Sequence, residues 1–174
     1  KSNKQLPWNT FLLSQVGRQD SDAIYVESRH YDSNDELSNV KLMHLNTRTL
    51  KAVALIGPPH TRRFLLDNDG EPRLAVTAAG DQDAIHLRDR ASGAWRQLGS
   101  FSAFKSQAGS FEPLAFGPDG KLFVESTGGK DKASVHTYDL ASGKISADAV
   151  IETEGYDFTG DLVNPVQLRN RLDV

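Results

Sequence analysis

Asp89-Arg90-Ala91-Ser92-Gly93-Ala94 decides the fold, because the chain repeats it. Asn46-Thr47-Arg48-Thr49-Leu50-Lys51 begins 43 residues earlier, and Asp139-Leu140-Ala141-Ser142-Gly143-Lys144 begins 50 residues later. Each copy follows a short alternating run and precedes another. The two steps bracket the period of about 40 to 50 residues that marks the four-stranded blades of propellers. Two other markers keep the same step. Asp69-Gly70 and Asp119-Gly120 stand 50 residues apart, and Ile24-Tyr25-Val26-Glu27-Ser28 resembles Leu122-Phe123-Val124-Glu125-Ser126 at a separation of 98, or two steps.

Turn chemistry explains why these residues recur. In Pro118-Asp119-Gly120 the proline presets φ, the aspartate bonds back to the backbone, and the glycine takes the left-handed position that closes a short hairpin. Asn68-Asp69-Gly70 does the same without proline. Ala91-Ser92-Gly93 and Ala141-Ser142-Gly143 close a second hairpin, capped by the carboxylates of Asp89 and Asp139. Two hairpins per period require at least four strands.

Between the turns the residues alternate, as strands with one wet face do. Leu122, Val124 and Ser126 are expected on one face, with Phe123 and Glu125 on the other, and Ile24, Val26 and Ser28 repeat the arrangement. Strands are predicted near 23–28, 40–45, 50–56, 62–67, 72–77, 84–89, 94–99, 112–116, 121–126, 133–139 and 145–151. Gly or Pro interrupts most helical candidates. The expected fold is therefore all-β: one β-propeller segment over 1–174, built from four-stranded antiparallel blades. Blade-like units run over 8–56, 62–101 and 111–152, with another starting at 156. That makes three to four blades, where a closed propeller typically needs about four to eight. The chain is expected to belong to a larger ring rather than to close as a small one.

Composition narrows the function. A chain of 174 residues buries roughly 70% of its unfolded surface and suits one or two domains. Its 20 Lys and Arg against 23 Asp and Glu give a net charge of -3, with no basic stripe to neutralise a phosphate backbone, so nucleic acid is a poor partner. There is no cysteine, hence no disulfide framework or thiolate zinc site. The longest aliphatic stretch, near 52–56, is far short of the ~20 apolar residues of a membrane helix, so no membrane partner is expected. Residues 1–7 carry neither an initiator Met nor an apolar leader segment, from which the chain is expected to begin inside a longer protein. The compartment, periplasmic or cytoplasmic, stays open.

The search for chemistry finds few candidates. No G-x-S-x-G occurs, so a nucleophile elbow is missing. Of the five histidines, His30, His44, His60, His86 and His136, none stands in an H-E-x-x-H frame. His86 and His136 are 50 residues apart and are read as half-exposed strand residues at one blade position. Asp67-Asn68-Asp69-Gly70-Glu71 alternates too few acids for a calcium loop and reads as a hairpin turn. Asp32, Asp35 and Glu36 fall in a polar connection and read as solvated. Arg62-Arg63, after Pro58-Pro59-His60, could clamp a carboxylate, but adjacent strand residues face opposite ways and only one can point inward. Phe101 and Phe104, in a connection spanning 100–110, are expected to pack beneath it. No catalytic, cofactor-binding or metal-binding residue is assigned, and no cofactor is expected.

Several of these stretches together resemble a known family. Tyr31-Asp32-Ser33-Asn34-Asp35-Glu36-Leu37, Asn46-Thr47-Arg48-Thr49, Phe111-Glu112-Pro113-Leu114-Ala115-Phe116 with Asp119-Gly120, Leu122-Phe123-Val124 and Tyr138-Asp139, and Gly155-Tyr156-Asp157-Phe158 look like the propeller region of bacterial prolyl-oligopeptidase-like serine peptidases, the group of acylaminoacyl and dipeptidyl peptidases. The resemblance implies a non-catalytic propeller that gates peptide access to an α/β-hydrolase domain, whose Ser, Asp and His perform acyl transfer. That catalytic domain is absent from this chain, which is therefore not expected to be an enzyme alone. The implied partners are the hydrolase domain of the same polypeptide and peptide substrates. The end blades are expected to self-associate through their open faces, or to close by pairing 156–163 with the first unit. A stand-alone binding or scaffolding propeller of the periplasmic kind is the alternative. A sugar-lactone or glycan-active propeller would need a cluster of inward acids, which the sequence does not assemble.

Overall fold

The computed structural model describes residues 6–14, 21–103 and 109–158. These residues form twelve strands in three sheets and no helix. The first sheet holds β1 (Thr10–Leu12), β2 (Ala23–Tyr31), β3 (Leu37–Asn46) and β4 (Lys51–Ala54). The second holds β5 (Thr61–Leu66), β6 (Pro72–Ala79), β7 (Gln82–Arg88) and β8 (Trp95–Ser102). The third holds β9 (Glu112–Phe116), β10 (Leu122–Ser126), β11 (Ser134–Asp139) and β12 (Lys144–Ile145). Each sheet is an antiparallel meander in chain order.

The three repeated segments occupy one place, the turn between third and fourth strands. In each, a side-chain oxygen caps two backbone amides: Asn46 those of Arg48 and Thr49, Asp89 those of Ala91 and Ser92, Asp139 those of Ala141 and Ser142. In each, the fifth residue returns its N–H to the carbonyl of the first, at 2.8 to 2.9 Å. That residue is left-handed, φ 72° at Gly93, 70° at Gly143 and 57° at Leu50. Asp69-Gly70 and Asp119-Gly120 likewise close the turns between first and second strands of the second and third sheets, with Gly70 and Gly120 at φ 73° and 77°.

The middle sheet is covered on both faces. Val40 and Leu42 of the first sheet pack with Phe64, Leu66 and Ala75 of the second. On the other face Leu65, Leu74, Val76, Ile85 and Leu87 meet Phe116, Leu122, Val124 and Tyr138 of the third sheet. Such stacking is what a sheet with two apolar faces requires, and it blurs the alternation: Leu74, Ala75, Val76 and Thr77 are all buried in succession. Phe123 is buried too, although the sequence assigns it to the wet face.

Some boundaries differ from expectation. β1 was not among the predicted strands, being three residues without a turn signal beside them. The strand expected over 145–151 stops at Ile145, and Ile151 returns only through a single bridge to Val135. The hydroxyl of Ser146 takes over locally: it accepts from the Thr137 amide and donates to the Asp148 carbonyl, an arrangement that competes with the ladder. Phe101 belongs to β8 rather than to a connection, and its ring meets Phe111 edge-on at 5.4 Å. Phe104 lies outside the described residues, as does 159–163 of the expected pairing with the first unit. Tyr156 bridges Thr153, and the Phe158 amide donates to the Ala133 carbonyl, so the described part of that segment lies against the third sheet.

Candidate functional site

A cleft of about 520 Å³ opens between the second and third sheets, at the end that carries the turns between second and third strands. Phe101 and Phe111 form its apolar wall, while Asp83 of β7, Glu112 of β9 and Glu125 of β10 line it with carboxylates. Glu112 and Glu125 are direct cross-strand partners, and Asp83 lies on the face of the second sheet that carries Val76 and Ile85 toward the third. Like charges opposite one another disfavour ionisation. Burial pushes the Glu112 carboxyl above the usual carboxylate range; Arg63 opposes this, and Asp83 and Glu125 reinforce it. Glu125 is raised as well, by burial and then by Asp157.

Arg63 does clamp a carboxylate, that of Glu112 on the neighbouring sheet. Its guanidinium donates to the Glu112 carboxylate and, at 2.8 Å, to the Pro113 carbonyl. Arg62 is the extra residue of a β-bulge, between Thr61 paired with Thr77 and Arg63 paired with Val76. Arg62 turns back toward the Ala78 carbonyl, 3.5 Å away. Arg63 thus ties the first strands of adjacent sheets together at the edge of the cleft.

The two repeat-related histidines occupy equivalent positions, each facing the preceding sheet, but only one matches expectation. His86, opposite Ala75, is half-buried and reaches Thr77 Oγ1 at 3.3 Å; burial lowers its pKa. His136, opposite Val124, is fully buried rather than half-exposed. Its Nδ1 lies 2.9 Å from the Ser146 carbonyl, which can only accept, so Nδ1 donates to it, and Nε2 meets Ser134 Oγ at 2.9 Å. Ser134 is 1% exposed. A serine-histidine pair sealed in this way, with a peptide carbonyl rather than a carboxylate behind the ring, organises the interior instead of presenting a nucleophile. Ser126, on the cleft wall, donates its hydroxyl proton to the Ser110 carbonyl.

The remaining sequence candidates are structural. Asp67 Oδ1 accepts from the amides of Asp69 and Glu71, making the acidic stretch a hairpin turn. Asp32 does the same for Asn34 and Glu36, and Asp32, Asp35 and Glu36 are exposed. Among the described residues, no group of three or more His, Cys, Asp or Glu side chains has the geometry to hold a metal ion. Asp83 and Glu125 escaped the sequence reading because their meeting depends on how two sheets stack. Counting back along both strands from the Asp119-Gly120 turn would set Glu125 opposite Pro113; a register shift between Phe123 and Val124 brings Glu112 there instead.

Comparison with solved structures fixes the architecture. The chain matches the β-propeller domain of the Trilobed protease from Pyrococcus furiosus, described as having an open velcro topology, at 10% identity and a TM-score of 0.53 over 87% of this chain. The fold is that of a β-propeller. TolB from Acinetobacter baumannii also matches, at 13% identity and a TM-score of 0.49 over 72% of this chain. The chain spans 46% of the first of these propeller-containing chains and 29% of the second. No protein-family model and no curated protein matches this propeller segment.

Proposed function

We propose that this chain is a non-catalytic propeller segment of a prolyl-oligopeptidase-like serine peptidase, gating the access of peptides to an α/β-hydrolase domain outside the chain. The observation that carries this reading is the stack of three four-stranded sheets, in a fold shared with the propeller domain of a protease. Two further features support it. The sequence has no G-x-S-x-G, and the Ser134–His136 pair is buried. The cleft between the second and third sheets has room for a few residues of extended chain and none for a folded domain.

The partners under this reading are the hydrolase domain, peptide substrates and further blades. Ile24 and Leu122 are counterparts two steps apart, yet Ile24 is 37% exposed where Leu122 is fully covered. Leu12, on the same open face of the first sheet, is 68% exposed. A neighbouring blade would cover both.

Two measurements test the proposal. The parental reading frame should carry G-x-S-x-G, then Asp, then His beyond Val174, and a stop codon there would overturn the peptidase reading. The purified chain should leave a p-nitroanilide substrate unhydrolysed and take no label from a fluorophosphonate. Turnover with a single labelled serine would show that the segment is itself catalytic.

A further inference from the structure

The longest aliphatic stretch of the sequence, near 52–56, lies on the outer edge of the first sheet. β4 is the last strand there and, among the described residues, pairs with β3 alone. All four of its residues are exposed, and Val53 and the following Ile56 are 68% and 88% exposed. Proteins protect such edges with charges, bulges or very short strands. The other two sheets do so. β8 presents Arg96 and Gln97 and carries a bulge at Leu98, and β12 ends after two residues, where Ser146 takes over. β4 has an unshifted register and one charge, Lys51, at its start.

The backbone of this edge is self-complementary. The Leu55 amide donates to the Leu42 carbonyl at 2.8 Å. Bonds of an antiparallel ladder alternate, so Val53 also faces β3 while Ala52 and Ala54 turn their N–H and C=O groups outward. A second β4, laid antiparallel about a two-fold axis at Val53, satisfies all of these groups. Ala52 then meets Ala54 of the second copy, and Ala54 meets its Ala52, each as a hydrogen-bonded pair. Val53 lies opposite its own counterpart, and the exposed Leu50 and Ile56 are brought toward each other at both ends. Lys51 falls opposite Leu55, so no like charges meet. Each copy uses up its outer edge, and the pairing closes at two.

We propose that a second copy of this chain docks on β4 in this register, joining the two first sheets into one. The contact does not depend on the peptidase reading, because a neighbouring blade covers a face of the sheet and leaves this edge open. The chain has no cysteine, so one introduced thiol reports the register. Val53→Cys in the full chain should be captured as a disulfide-linked dimer under mild oxidation, since a non-hydrogen-bonded cross-strand pair holds its Cα atoms within bridging distance. Ala52→Cys points to the other face, opposite Ala54 rather than itself, and should stay uncaptured. Ile24→Lys, which suppresses association through the free face, should leave the Val53→Cys dimer intact. In that same background Val53→Lys and Val53→Glu should each sediment as monomers, and an equal mixture of the two should dimerise. Equal capture of the two thiols, no capture at Val53, species larger than a dimer in the Ile24→Lys background, or a mixture that stays monomeric would overturn the proposal.

Discussion

Leu50 sits at φ 57°, the turn position that Gly93 and Gly143 fill in the other two sheets. A left-handed backbone costs an L-residue roughly 1 to 2 kcal/mol, whereas glycine adopts it freely but loses about 0.5 to 1 kcal/mol more on ordering. The side chain is exposed, so little packing is lost on removal. Leu50→Gly should therefore stabilise the chain by up to about 1 kcal/mol in urea denaturation, and an unchanged or lower midpoint would contradict the turn assignment. Asp139 offers a second test at this scale. Amide hydrogen bonds from Ser142 and Ala141 hold its carboxyl below the usual range. The unfolded chain thus binds the proton first, so the stabilisation is present above the ordinary aspartate value of about 3.9 and is lost as pH falls through the folded value. Asn46 shows that an amide can cap the same turn. Asp139→Asn should keep the turn but lower Tm near neutrality, with the gap from the unsubstituted chain closing as pH falls. A gap independent of pH would exclude the electrostatic account.

Among strands, the decisive pairing is Glu112 of β9 against Glu125 of β10, with Arg63 of β5 reaching across from the adjacent sheet. Glu112 is raised, so its sign is opposite to that of Asp139: the folded state holds the proton longer, and stability falls as pH rises from the ordinary glutamate value through the folded one. The side chain keeps about half its solvent exposure, which makes the effect modest. Glu112→Gln should match the unsubstituted chain below about pH 4, where the carboxyl is neutral in both states, and exceed its Tm at pH 7 to 8. A lower Tm at pH 7 would mean that the Arg63 bond outweighs burial. Turns are where the strands were legible in the sequence, since Asp, Asn and Gly act through their own backbone. β1 was not legible, having no such signal, and neither was the bulge at Arg62, which turn chemistry does not mark. The acid-lined cleft stayed hidden for a related reason: its three carboxylates come from three strands in two sheets. The 50-residue spacing makes His86 and His136 counterparts, but the burial of His136 depends on packing that spacing does not encode.

At the scale of the molecule, repetition turns into stacking, and each sheet covers the next. The middle sheet packs against a neighbour on both sides, while the first leaves Leu12 and Ile24 to solvent on its free face. Sedimentation of the chain alone should show concentration-dependent association that Ile24→Lys weakens, since apolar faces and unpaired strand edges drive such contacts. A monomer at high concentration would remove the case for missing blades and with it the main support for the peptidase reading. The central claim, that three sheets stack face to face as propeller blades, is tested most directly by nuclear Overhauser contacts in the intact chain. The rings of Phe101 and Phe111 should contact each other across the second interface, and Leu42 should contact Phe64 across the first. Contacts confined to strands within one sheet, with none of these between sheets, would contradict the account.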